Sequence, residues 1–565
     1  MPPSLPALSD PALQGAMASL RGTAASQAAF VVGISLHLFV FRIGEWDLAT
    51  MRLILGTVYI QVAATALLVY AFPDVYPSVL ETAGIVARLL GLVITGIWSS
   101  MLVYRGFFHR LCRFPGPFLA RFSNFYIAGI SMKKLLLHKE VQALHRQYGD
   151  YVRIGPSELS INDPKAVSLI HGNSTTCVKG PWYNVHHPMV PIQMIRDKAE
   201  HRKRRQVWDR GFSSKALRDY EPRVINHAED LFKQIAKMEG QPINVTDWFN
   251  FYSFDVMGDL AFGKSFHMLR DGIKHYFMTA LHGFMIGVGL FSHLLWLFPI
   301  FKKTPVLNAE DKKFWYWVLD QVEERKRNIP DRPDVFSWIL ESYNSLAKPT
   351  KQDDLNLIGD AFVIAVAGSD TTAATLSCLF YELAAHPECV KQLQTEVDPL
   401  FSGQEGQEND MRALAQLEHL NAVINEALRL HPPVPSGVQR MTGPEGLQIG
   451  DTFVPGNTIV QIPSYTMFRD ERCFEQPDDF IPERWTTKKE MTKDASVFVP
   501  FSMGRYSCIG KQLGLIEIRY VTAHLIHKYN LSFAKDQAPR KFVEGQRDTF
   551  TIALPDLKLV FTPRS

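Results

Sequence analysis

The stretch FVPFSMGRYSCIGKQLG, residues 498–514, decides how this 565-residue chain is read. It carries Cys508, one of six cysteines, with Gly504 four places before it and Gly510 two places after. The run behind it, CIGKQLGLIEIRYVTAHLIHKY, has the character of a helix. Cys508 therefore falls at a helix N-terminus, where unpaired N–H groups and the helix dipole favour a thiolate. The two glycines let backbone approach something large and flat. No two cysteines form a CxxC pair, so a zinc ribbon, a thioredoxin motif and c-type haem attachment are absent. Single scattered cysteines read as reduced thiols in a cytosol-facing domain, most of them small buried hydrophobes.

A lone thiolate with no second ligand nearby suits a haem iron held by protein on one face. A cysteine at a helix start is also commonly structural, so the rest of the chain has to arbitrate. NLIGDAFVIAVAGSDTTAATLSCLFYELAAHP (356–387) reads as a long helix, apolar nearly all round and stopped by Pro387. Asp360, Ser369, Asp370, Thr371 and Thr372 interrupt it, which favours a core helix facing a polar pocket over a membrane span. LEHLNAVINEALRLHPPVP (417–435) is a second helix, ended by Pro432-Pro433. Its Glu426 and Arg429, three apart, share a face and can pair. KAEHRKRRQVWDRGFSSKAL (198–217) reads as a basic helix. Short β-rich runs lie in 148–167 and in 447–464, broken by Gly and Pro. The fold class is mainly α with a minor β-sheet region.

These segments together resemble the cytochrome P450 family. The family's haem loop, F-x-x-G-x-R-x-C-x-G, is matched by Phe501, Gly504, Cys508 and Gly510. Its arginine falls at Tyr506 here, and a phenol donates a hydrogen bond but brings no positive charge. Arg505 is one residue out of register and is not taken as a substitute. EALR gives E-x-x-R as Glu426 and Arg429, and PERW gives their third partner, Arg484. AGSDTT (367–372) matches the central-helix pattern. The resemblance covers roughly 113–561. It implies haem b as cofactor, with Cys508 as the axial iron ligand and His201, Arg205 and Arg440 as partners of the haem propionates. It makes Thr371 and Asp370 the pair that delivers protons during oxygen activation, with Gly368 easing a local widening of the helix. Lys203 and Arg204 read as a solvated face or a docking patch for an acidic reductase.

Three apolar runs precede this region, at about 28–41, 53–72 and 83–104. A bilayer core needs about 20 apolar residues in a helix. The second run fits cleanly. The third fits if Arg88 snorkels or faces protein, and the first is short. Arg21 is the only basic residue before the first run, and further spans follow it, so a signal peptide is disfavoured. Arg42 and Arg52 lie between the first two runs, none between the second and third, and Arg105, Arg110 and Arg113 after the third. That alternation puts the N-terminus in the lumen and the chain after Tyr104 in the cytosol. A single anchor at 83–104 is the alternative. RFPGPFLARF (113–122) reads as a stiff hinge. The organisation expected is a membrane region at 1–104, a Pro/Gly hinge and linker at 105–134 and a haem-thiolate domain at 135–565, in the endoplasmic reticulum membrane.

A formal net charge of +3, from 60 basic and 57 acidic side chains, argues against a nucleic-acid binder acting through bulk charge. Aromatic residues make up 12 %, which suits a large apolar cavity. The apolar, aromatic stretch 277–301 is either interfacial or core. The resemblance implies a monooxygenase inserting one oxygen atom from O2 into a lipophilic small molecule. Electrons would come from NADPH-cytochrome P450 reductase, with cytochrome b5 as a further partner, since no flavin domain follows. The multi-span start and the YSC of the loop are similar to filamentous-fungal enzymes of secondary metabolism, which act on terpenoid, alkaloid or polyketide skeletons. A P450-like isomerase or dehydratase, and a non-catalytic membrane haem protein, are the rival readings.

Overall fold

The apolar runs at the N-terminus become helices Thr23–Leu36, Thr50–Ala71 and Val79–Val103 in the computed structural model, which describes residues 10–328, 330, 332–403 and 406–564. With their flanking turns, Thr23–Phe41, Asp47–Ala71 and Val79–Phe108 are each long and apolar enough to cross a bilayer. The first begins five residues earlier than its apolar run, which makes up the length the run lacked. The first and third helices touch backbone to backbone. A Cβ on Gly33 would lie 2.1 Å from the Val93 carbonyl oxygen, and one on Gly96 would lie 2.2 Å from that of Phe30. Small residues permit this approach in a bilayer, where tight packing and interhelical hydrogen bonds replace the hydrophobic drive. His37 Nδ1 and Ser100 Oγ add such a bond at 2.8 Å. Arg88 reaches out of the third helix to the carbonyls of Leu20 and Arg21.

The hinge is pinned to a five-stranded sheet rather than left as a free connection. Its strands are β1 Tyr151–Gly155, β2 Glu158–Ile161, β3 Val178–Lys179, β4 Arg440–Met441 and β5 Ile459–Gln461, in the order β1-β2-β5-β4-β3. The β2–β5 pair is parallel and the others antiparallel. Arg153 of β1 donates its N–H to the Pro115 carbonyl at 2.8 Å. Gly116, at φ +152°, lies so close that a Cβ would sit 2.4 Å from the Arg153 oxygen.

The core is helical. The central helix runs Lys351–Ala385, starts at a Thr350–Asp353 capping box and stops before His386-Pro387. It is long and apolar enough to span a membrane, yet 78 % of its most apolar window is buried by protein, so it is a core helix. Helix Val245–Phe262 packs across it. Gly368 is the contact, since a Cβ there would meet Met257 Sδ at 2.5 Å. That corrects the expected role of Gly368: the helix continues unwidened through it, and glycine serves close packing. The run 198–217 is two helices, not one. Lys198–Gly211 ends, and Ser213 caps a new helix at Ser214 by accepting from the Ala216 N–H. The stretch 277–301 forms helix Tyr276–Phe291, a turn at Leu295–Leu297 and helix Phe298–Lys303. These last two pieces pack on the Asp47–Ala49 turn and the second membrane helix.

Candidate functional site

A cavity opens between the central helix and the Cys508 loop. Phe501, Cys508, Gly510, Thr371, His201, Arg205 and Arg440 all line it; Gly504 and Asp370 do not. The loop reaches the cavity because Phe501 O accepts the Cys508 N–H at 2.8 Å, closing it on itself. The helix behind it, Lys511–Lys528, has Gly510 at its N-cap, two residues after the cysteine. Burial pushes the Cys508 thiol up; the Gly510 and Lys511 N–H groups and the nearby Arg205 and Lys511 cations act in the opposite sense. The side chain is exposed and lines the cavity.

The two loop glycines do different things. Gly504 has φ +68°, and a Cβ there would lie 2.4 Å from the His171 carbonyl oxygen. It permits the loop to pass close to the backbone at His171–Gly172. At Gly510 a Cβ would meet nothing nearer than Phe212 Cε1 at 3.9 Å, which leaves that wall open.

Behind the loop, Glu426 is fully buried and every oxygen is used. Arg429 Nε and Nη2 donate to it at 2.9 and 2.8 Å, Arg484 Nε at 2.9 Å, the Ile481 N–H at 2.9 Å and the Trp485 indole at 2.9 Å. Arg429 also binds the carbonyls of Phe468, Pro477 and Asp479, and Arg484 that of Glu475. The network is thus tied to the irregular segment before the loop. Trp485 carries it onward, its ring 4.6 Å from that of Phe498.

Two of the cations on the cavity wall, Arg440 and Lys179, have no carboxylate within 4 Å among the described residues. Arg440 is 2 % exposed and donates Nη1 to Tyr183 Oη and the Gln439 carbonyl, but its Nε has no partner. Arg205 donates to the Ser507 carbonyl at 2.8 Å and spends its Nε on Asp209 at the outer surface. His201 is pushed down to about 3 by burial and by Lys179, Arg205, Arg505 and Arg440, so it offers an imidazole N–H and no charge. Its Nδ1 and the Tyr506 hydroxyl are also buried without partners. Arg204 is not the solvated surface cation that the sequence suggests: it pairs with Asp360 of the central helix at 2.5 Å. Lys179, which no sequence motif marked, is 3 % exposed and faces the same cavity from β3. A two-residue strand carries no periodicity from which its burial could be read.

Thr371 and Asp370 point different ways, as neighbours 100° apart on a helix must. Thr371 faces the cavity and its hydroxyl donates to the Ala367 carbonyl at 2.7 Å. Asp370 turns away and meets His282 Nε2 of helix Tyr276–Phe291 at 3.2 Å. His282 is 42 % exposed and leads outward.

A haem fits these residues. One sulfur faces the cavity, the Gly510 wall is open, and orphaned donors at Arg440, His201 and Tyr506 stand where Arg440 and Lys179 have no carboxylate partner among the described residues. That donor set calls for a flat group carrying iron and acidic substituents.

Comparison with known proteins agrees. The family model for cytochrome P450 matches residues 115–561. The chain is 52 % identical to cytochrome P450 monooxygenase FCK2 of Fusarium pseudograminearum over 95 % of this chain and 97 % of that protein. It is 39 % identical to cytochrome P450 monooxygenase phqL of Penicillium fellutanum, covering 95 % and 94 %. It is 37 % identical to tryprostatin B 6-hydroxylase of Aspergillus fumigatus, covering 94 % and 95 %.

Proposed function

This chain belongs to the cytochrome P450 family, and we propose that Cys508 would hold the haem iron through its sulfur, with Arg440, Arg205 and His201 holding the acidic edge of the haem. The chain is a haem monooxygenase. The bound haem supplies oxygen activation at an iron made electron-rich by thiolate. The protein's own part is to hold, orient and move protons. Cys508 is held by the closed loop, and Glu426, Arg429 and Arg484 fix the segment that positions it. Thr371 presents a hydroxyl to the cavity and can exchange its bond to Ala367 for one to a reacting oxygen. Asp370 and His282 connect the back of the same helix turn towards solvent, which supports a proton relay that reaches Thr371 indirectly. Thr371 in the cavity favours oxygen insertion over isomerisation or dehydration.

Trp182, Phe284, Met285, Phe362 and Val363 make the remaining wall apolar, which supports a lipophilic substrate. The tryprostatin B hydroxylase among the relatives supports a secondary metabolite, of terpenoid, alkaloid or polyketide type. Exposed Arg202 and Lys203, on the helix whose Arg205 binds the Ser507 carbonyl, suit an acidic redox partner, and NADPH-cytochrome P450 reductase, with or without cytochrome b5, is the donor proposed. The three N-terminal helices support a multi-pass anchor in the endoplasmic reticulum membrane, with the haem domain in the cytosol.

The observation that carries this reading is the cavity-facing thiol of Cys508 in a closed loop. A reduced-plus-CO difference spectrum on membranes, beside Cys508→Ala, tests it. A red-shifted Soret band that needs Cys508 is expected. A band typical of histidine-ligated haem from folded protein would overturn the assignment.

A further inference from the structure

Lys179 ends β3 with its ammonium inside the protein. Nζ lies 2.7 Å from the Gln193 carbonyl and 3.3 Å from that of Ile192. It stands 4.7 Å from the centroid of the Tyr506 ring and 5.2 Å from that of Tyr183. The Arg440 guanidinium stands 5.0 Å from the same Tyr506 ring and 5.9 Å from Tyr183. Two cations therefore share one pair of aromatic rings. Neither has a carboxylate within 4 Å among the described residues, and both face the cavity. Lysine is almost never buried unpaired, and two like charges in a low-dielectric wall repel. Burial, with Arg440, Arg205 and Arg204 adding to it, holds the Lys179 ammonium well below its ordinary range. An anion on the cavity side would offset both the desolvation and the repulsion and keep both groups charged.

Tyr506 is the other half of the argument. It stands where the haem loop of the family carries arginine. Its ring meets His201 edge-on at 4.8 Å and offers π-faces to the two cations. A guanidinium there would be a third cation against Lys179 and Arg440. The geometry points to Lys179 as a haem-propionate ligand that replaces the loop arginine, with the Tyr506 ring as the platform that aims Lys179 and Arg440 at the carboxylates. The inference rests on the haem reading above and adds to it where the missing charge has gone.

Position 506 and position 179 are then alternative sources of one charge, and the test is compensation. Holoprotein in detergent is mixed with excess apomyoglobin and the rate of haem loss is followed. Lys179→Met should release haem about tenfold faster or more, the effect of losing one charge-assisted hydrogen bond. Lys179→Arg should stay within about threefold of the wild type. Lys179→Met with Tyr506→Arg should recover most of the retention. Apoproteins reconstituted with haem dimethyl ester, which lacks the carboxylates, should show no difference between wild type and Lys179→Met; a packing defect would affect both forms alike. Equal release by Lys179→Met and wild type, or no recovery with Tyr506→Arg, would overturn the assignment while the Cys508-dependent Soret band leaves the haem-thiolate reading standing. Absence of that band in the wild type would remove both.

Discussion

The Arg196 guanidinium holds both carboxylate oxygens of Glu45, at 2.6 and 2.7 Å, while its Nε donates to the Lys179 carbonyl at 3.0 Å. Glu45 lies between the first two membrane helices and Arg196 lies in the haem domain. That bidentate pair holds the loop on the same side as the haem domain. At the opposite end, Arg21 pairs with Glu81 and the Tyr76 hydroxyl donates to the Met17 carbonyl at 2.6 Å. The N-terminal segment therefore shares its end with residues 72–78, away from the haem domain. In sealed microsomes a tag at the N-terminus should survive added protease and a tag at the C-terminus should not. Digestion of both would put both termini on the cytosolic side, which requires an even number of crossings and is inconsistent with three packed spans.

Gly33 and Gly96 should be the least replaceable glycines of the membrane region. A methyl at either meets a carbonyl oxygen near 2 Å, which only a shift of a whole helix can relieve. Gly84 and Gly91, on the same third helix as Gly96, have nothing within 4 Å of a built Cβ. Gly96→Ala should lower the thermal midpoint of the anchored protein in detergent and its level in membranes. Gly91→Ala should change neither. Equal behaviour of the two variants would mean that the first and third helices do not pack through this pair.

Removing Arg484 should cost far more than an exposed ion pair. Arg484→Ala leaves the Glu426 charge buried with one cation where it had two, and frees the carbonyls that Arg484 held. Breaking such a buried pair costs about 3–5 kcal/mol. Arg484→Lys should recover little, because an ammonium cannot reproduce the fork that serves Glu426 and Glu475 together. Denaturant unfolding with haem release as the second probe measures both. A loss near 1 kcal/mol for Arg484→Ala would mean the network is not what holds the loop segment.

Residues fixed by local spacing were legible in the chain before its structure. Glu426 and Arg429 pair because three residues on a helix put them on one face, and Pro387 and Pro432 end their helices because proline cannot continue them. The long central helix was readable as core because its polar residues cluster on one stretch. What sequence could not give was direction. Asp370 and Thr371 are neighbours, yet one faces the cavity and the other His282, which only the packing of helix Tyr276–Phe291 decides. Arg204 looked like a solvated cation in a basic run, but Asp360, 156 positions away, draws it inward. Gly368 reads in sequence as easing a helix defect, but its role is close approach to Met257, on a helix distant in sequence. Lys179 had no local signal because its meaning comes from Tyr506 and Arg440, which reach it through tertiary structure.

Glu517 should make stability fall as pH rises, the reverse of an ordinary surface carboxylate. It is 1 % exposed, on the cavity side of helix Lys511–Lys528, and neither oxygen has a hydrogen-bond partner among the described residues. Burial raises its carboxyl well above the usual value near 4.5. In the unfolded chain the group ionises near that usual value; in the native protein it keeps its proton to higher pH. Between the two, the native state binds one more proton than the unfolded state. Stability then falls by about 1.4 kcal/mol per pH unit from this group alone. The contribution is fully present below the unfolded value and is lost as pH rises through the native one. Glu517→Gln keeps the shape of the neutral acid and removes the titration. Its thermal midpoint should match that of the wild type near pH 4.5 and exceed it increasingly as pH rises. Melting curves for both proteins across this range check the sign. An offset independent of pH would show that Glu517 is ionised in the native protein, with its charge compensated by a partner.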